Sequence, residues 1–192
     1  MVYTAAQDPL CYPGTTVLIN LADLRDQAEL DDFEFAMYLS RAEEPLPPGS
    51  LDYEHYRAMH HHLFRDVYSW AGQPRTIRIG KAGNWFCYPE NLDRHMHAIF
   101  DWLADRDNLV DLSHANFVVD AAYLLSEINA GHPFREGNGR TQLAFLKVLT
   151  LNAGRSFNED AIEPETTLAA MVQSFSGNLK PLEALIGAIV PR

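Results

Sequence analysis

The sequence predicts an all-α bundle carrying one β-hairpin. Apolar residues recur at helical spacing in seven stretches, most of them opened by a capping residue or a proline. Only one stretch, 73–88, alternates in the manner of strands. The 192 residues suit a single domain (1–192) with a sizeable core, and no internal repeat or low-complexity segment divides it.

In chain order, residues 1–25 read as an N-terminal arm lying on the body, punctuated by Pro9, Pro13 and Gly14. Asp26 to Glu44 reads as a helix with Leu30, Phe33, Met37 and Tyr38 on one face; Pro45-Leu-Pro-Pro-Gly49 ends it. Asp52 caps a second helix reaching about Tyr68, with Tyr56, Met59, Leu63 and Val67 inward. In the hairpin, Thr76-Ile-Arg-Ile79 alternates, Gly80-Lys-Ala-Gly83 turns, and Trp85-Phe-Cys-Tyr88 returns. A lone hairpin is marginal, so it must rest on the helices. Pro89 starts a third helix to about Asp107, and Ser113 caps a fourth to about Asn129. A fifth runs from about Gly139 to Asn152 and is stopped by Gly154. Pro164 begins a sixth through Phe175, and Lys180 to Val190 is a short seventh.

Composition narrows the function. The net charge of −11 argues against a long nucleic acid partner, which needs clustered Lys and Arg. A nucleotide needs only local positive potential. No apolar run approaches membrane-spanning length and no signal peptide opens the chain, so a membrane role is not expected. Cys11 and Cys87 have no metal-like spacing and fit free thiols in a reducing compartment, with a single disulfide left open. The triplet His60-His61-His62 does not read as a metal site, because adjacent helical residues diverge by about 100°.

The chemistry concentrates in residues 132–144, where His132, Phe134, Glu136, Gly137, Asn138, Gly139 and Arg140 stand immediately before an apolar helical pattern. A Gly-rich loop opening a helix directs backbone N–H groups at one point, where the helix dipole favours an anion. Arg140 adds a planar cation suited to phosphate oxygens. Glu136 is either a charge favoured at a helix N-terminus or a candidate ligand for Mg²⁺, which takes one or two carboxylates and leaves its other positions to phosphate and water. His132 supplies a base that titrates near neutrality. Phe134 reads as core. Together these residues point to phosphoryl or nucleotidyl transfer.

The string HPFREGNGRTQ resembles the active-site signature of the Fic family, H-x-F-x-D/E-G-N-G-R-x-x-R, and segments 62–81 and 83–92 resemble the same family. That resemblance implies a Fic-type bundle and a protein adenylyltransferase. AMP would pass from ATP to a Ser, Thr or Tyr hydroxyl of a target protein. His132 would be the general base and Glu136 the Mg²⁺ ligand. Gly137, Asn138, Gly139 and Arg140 would bind the nucleotide. The flap residues Thr76, Ile77, Arg78 and Ile79 would register the target by strand addition.

The resemblance also implies a cytoplasmic toxin held off by a separate small antitoxin protein. No full Ser/Thr-x-x-x-Glu-Gly/Asn inhibitory match occurs here; Ser40-Arg-Ala-Glu-Glu44 is followed by Pro45. One position departs from the signature: Leu143 stands where the family has its second arginine. Two alternatives therefore stay open beside AMP transfer. One is a Fic-fold transferase using another donor of phosphate or phosphocholine. The other is a nucleotide-binding module with little turnover.

Overall fold

The computed structural model describes residues 8–81 and 83–192. Among these residues lie seven α-helices and one two-stranded antiparallel ladder, the architecture expected from sequence. Helix α1 (Gln27–Ala42) starts where the Asp26 carboxylate accepts the N–H groups of Ala28 and Glu29. Helix α2 (Tyr53–Phe64) is capped by Asp52, which accepts from His55 N–H. Such caps satisfy donors that a helix leaves unpaired at its start. Helix α2 stops four residues short of the expected Tyr68. The N–H groups of Val67 and Tyr68 both turn back to the Phe64 carbonyl, so the apolar spacing continues through tight turns.

Helix α3 (Pro89–Ala104) buries Leu92, Met96, Ile99, Phe100 and Leu103, one face at helical spacing. Helix α4 (His114–Gly131), capped by Ser113, is the central element and packs against α3, α5 (Asn138–Asn152), α6 (Pro164–Phe175) and α7 (Lys180–Ile189). Its position explains its composition: Phe117, Ala121, Leu124, Leu125 and Ile128 are all buried in the main core. A second cluster forms where the described part of the arm and α1 cover Leu63, Phe64, Val67, Tyr68 and Trp70. The arm is tied down by Leu21 N–H to the Val67 carbonyl and by Arg135 to Asp8 at 2.5 Å. Residues 1–7 of the expected arm lie outside the described residues. No helix among the described residues is long and apolar enough to cross a membrane.

The hairpin ladder is shorter than the alternation implied. It comprises only β1 (Gly80–Lys81) and β2 (Asn84–Trp85), with Gly80 opposite Trp85 and Lys81 opposite Asn84. The cause is Arg75. Its guanidinium donates to the Ile77 carbonyl (2.7 Å), the acceptor that the next ladder pair would have used, and also binds the outward-facing Cys87 carbonyl (2.6 Å). The alternation itself is real: Ile79 and Phe86 are buried with Ile77 and Phe175 beside them, while Thr76 is exposed.

Candidate active site

The loop between α4 and α5 is fixed from several directions. His132 ends α4 in the left-handed region (φ 48°, ψ 64°), with its N–H on the Ile128 carbonyl at 2.8 Å. Such a conformation costs a non-glycine residue roughly 1–2 kcal/mol. Arg75 offsets it: the guanidinium donates to the carbonyls of His132 (2.8 Å) and Gly131 (3.0 Å), a cation at a helix C-terminus. Phe134 is fully buried and stacks on His60 at 3.7 Å, the core role expected of it. Asn138 turns its amide back onto the loop, accepting from Phe134 N–H and donating to the Phe134 carbonyl. Its side chain therefore knits the loop.

Gly137 and Gly139 differ in kind. Gly137 has φ 78°, and a Cβ there would lie 2.5 Å from the Phe64 ring. The fold demands glycine. A Cβ on Gly139 would meet nothing within 4 Å, yet Gly139 lines the cavity. Its bare face matters only to what enters. The N–H groups of Asn138, Gly139 and Arg140 open α5 and by position have no intrahelical acceptor.

His132 is buried and lies flat against Phe86, with ring centroids 3.8 Å apart. Its Nδ1 is 3.3 Å from the Asn129 carbonyl. A carbonyl only accepts, so Nδ1 carries the proton and Nε2 keeps its lone pair. Burial pulls the ring down to about 3, with Lys81 and Arg75 adding the same push. The neutral, proton-accepting form is thus the resting one at neutral pH.

Sequence reasoning missed three residues that converge here. His60 receives Gly72 N–H on Nδ1 (2.8 Å), so Nε2 carries the proton and donates to the Glu136 carbonyl (2.9 Å). Burial holds this ring neutral as well, pulled down to about 3. The neighbouring histidines diverge, His61 to the Ala71 carbonyl and His62 to that of Arg41. Arg75 is the second. Glu34 of α1 is the third: its carboxylate accepts from both Arg140 Nη2 and the Tyr68 hydroxyl. Glu34 and His60 lie outside the family-like segments and Arg75 carries no signal of its role within segment 62–81; only packing brings the three together.

The loop and the start of α5 border a cavity of about 410 Å³. His132, Glu136, Gly139 and Arg140 form its polar wall, and Leu143 lines it as well. Opposite stand Ile162, Leu168 and Val172, the last two exposed at 43% and 45%. Two buried atoms of cavity-lining residues, Gln142 Nε2 and Thr167 Oγ1, have no hydrogen-bond partner among the described residues. Glu136 accepts Gly137 N–H on Oε1 at 2.9 Å and faces Arg140 at 3.9 Å. Burial and then the charge of Glu34 raise its carboxyl above the ordinary range. The flap residues divide: Ile79 is core, whereas Arg78 sits over the exposed Trp85 and Tyr88 rings at 4.8 and 3.8 Å. The Cys11 and Cys87 thiols are free.

The Fic/DOC family profile matches residues 50–150. A protein of Sinorhizobium fredii named "Probable protein adenylyltransferase y4lH" is 56% identical over 189 residues, covering 98% of each chain. Protein adenylyltransferase VbhT of Bartonella schoenbuchensis is 35% identical over 187 residues, 96% of this chain but 39% of its own length. Among solved structures, the BepC protein of Bartonella tribocorum with bound AMPPNP matches with a TM-score of 0.85 and 25% identity, over 95% of this chain and 96% of that one. With the profile spanning the loop and the relatives spanning the bundle, the chain belongs to the Fic/DOC family.

Proposed function

We propose that this protein transfers AMP from ATP to a hydroxyl side chain of a target protein. The observation that carries this is His132, which lines the same cavity as Gly139 and Arg140 and whose Nδ1 donates to the Asn129 carbonyl, the tautomer in which Nε2 is the basic nitrogen. The target oxygen attacks the α-phosphorus and its proton passes to His132 Nε2, a step typically worth ~10²–10⁴-fold. A new O–P bond forms as the bond to the β-phosphate bridging oxygen breaks, and pyrophosphate leaves. The α5 N–H groups and Arg140 stabilise phosphate charge, so most of the gain is positioning and electrostatics. The adenylyltransferase names of the relatives and the AMPPNP complex of BepC support the same donor.

Glu136 fits Mg²⁺: it is one carboxylate at the cavity wall, strained by Glu34, with room for phosphate and water oxygens. When bound, the ion would neutralise phosphate charge. The exposed edge near Thr76 and Arg78 would hold the target segment extended, its hydroxyl turned to His132. A cytoplasmic setting and inhibition by a separate small antitoxin protein complete the proposal, as the family resemblance implies.

Leu143 favours a second reading. It lines the cavity and offers neither donor nor charge, so another donor, of phosphate or phosphocholine, or binding with little turnover, competes with AMP transfer. The test is incorporation of label from α-labelled ATP with Mg²⁺ into protein, beside γ-labelled ATP and CDP-choline, with His132→Ala as control. Label from the α-phosphate alone, lost in His132→Ala, is the expected result. Equal incorporation by the two proteins would end the proposal.

A further inference from the structure

Arg140 is an unusually constrained arginine. Its guanidinium lies 4.6 Å from the Phe64 ring and 5.2 Å from that of Tyr38. Its Nη2 donates to Glu34, and Glu34 is itself anchored by the Tyr68 hydroxyl. Glu34 is 9% exposed and belongs to α1, outside the 50–150 segment that the family profile matches. A second carboxylate, Glu136, waits 3.9 Å from the same Nη2. Two acids therefore compete for one cation. Glu34 holds it in the resting protein, and Glu136 stands on the ligand side.

We infer that Glu34 is a positioning residue for Arg140, holding the guanidinium off Glu136 so that its remaining N–H groups face the nucleotide polyphosphate and the Glu136 carboxylate stays open to a divalent cation. This rests on the nucleotide-binding part of the proposed function. An arginine has five N–H donors in a rigid fork, so fixing one end sets the direction of the others. Without Glu34, a largely buried cation would lose its partner, and the nearest replacement is Glu136. Collapse onto Glu136 would remove a phosphate contact and occupy a metal ligand in one movement. A merely structural ion pair would affect neither.

The experiment is calorimetry of the full chain with AMPPNP at fixed Mg²⁺, followed by titration of Mg²⁺ at fixed nucleotide. Glu34→Gln is expected to bind about tenfold more weakly, the scale of one charge-assisted hydrogen bond, and to need more Mg²⁺ for half-maximal binding. In an Arg140→Gln background, adding Glu34→Gln should cause no further loss. Tyr68→Phe keeps the ion pair and loosens only the carboxylate's other anchor. It serves if Glu34→Gln fails to fold, with a smaller loss of about two- to threefold expected from one neutral hydrogen bond. Unchanged or tighter binding in the folded variant, or full additivity with Arg140→Gln, overturns the role. A wild-type protein that binds nucleotide but transfers nothing would sink the proposed reaction and leave Glu34 standing. Failure of the wild type to bind would remove both.

Discussion

Acidification should destabilise this protein well before its carboxylates titrate. His60 and His132 are both buried neutral, pulled from an ordinary 6.5 to about 3. The unfolded chain accepts protons on both rings below pH 6.5, and the folded chain refuses them until about pH 3. Stability is therefore complete above 6.5 and falls as pH drops through that window. Each unit of difference is worth about 1.36 kcal/mol, so each ring removes about 2 kcal/mol between pH 6.5 and 5, and the pair about 4. That is a large part of a typical ~5–15 kcal/mol domain stability. Asp23 and Asp66 are held below the ordinary 3.8 and enter only at lower pH, whereas the raised carboxyl of Glu136 acts in the opposite sense. Urea unfolding at pH 7, 6.5, 6, 5.5 and 5 reads the slope. His60→Gln keeps one donor for the Glu136 carbonyl and one acceptor for Gly72 N–H but cannot titrate; it should flatten the slope by about half. His132→Asn, which tolerates the left-handed backbone, should do the same. A wild-type stability that stays flat from pH 6.5 to 5 would refute the assignment of both rings as buried neutral bases.

Two further outcomes follow from the cavity. Gly139→Ala should leave the melting temperature unchanged or raise it by a few degrees, since a Cβ there meets no protein atom and alanine restricts the unfolded chain by about 0.4–1 kcal/mol. The same change should weaken nucleotide binding about tenfold or more, by crowding a phosphate and costing a charged contact. Normal calorimetric affinity would mean no ligand approaches that face. Leu143→Arg should raise AMP transfer by about ten- to a hundredfold, the scale of a charged hydrogen bond. Unchanged rate and donor choice in labelled-nucleotide assays would show that position 143 does not govern the donor.

The bundle was legible because its signals are local. Asp26, Asp52 and Ser113 each cap the helix they precede, and Pro89 and Pro164 sit at first helical positions. The loop from His132 to Arg140 was legible for a similar reason, since its working parts are contiguous in the chain. Glu34 was not. It is one acid on an acidic helix, and nothing in its spacing shows that α1 packs on α2 with this side chain turned to Arg140. His60 was masked by its own neighbours: a triplet shows that three rings diverge, not which one reaches a loop 76 residues away. The ladder was overestimated because alternation reports which side chains face inward, not where carbonyls find their donors.

Arg75 joins the hairpin to the loop between α4 and α5 through backbone carbonyls. Its donors reach Ile77 and Cys87 on the two arms of the hairpin, and Gly131 and His132 on the loop. The hairpin and the backbone of His132 therefore share one frame. Because these four acceptors are carbonyls, side chains on the hairpin's outer edge can change without removing them. The spacing from the hairpin to His132 is thus set by one buried arginine bonded to backbone on both sides, so substitution of the outward-facing hairpin side chains is expected to leave His132 in place.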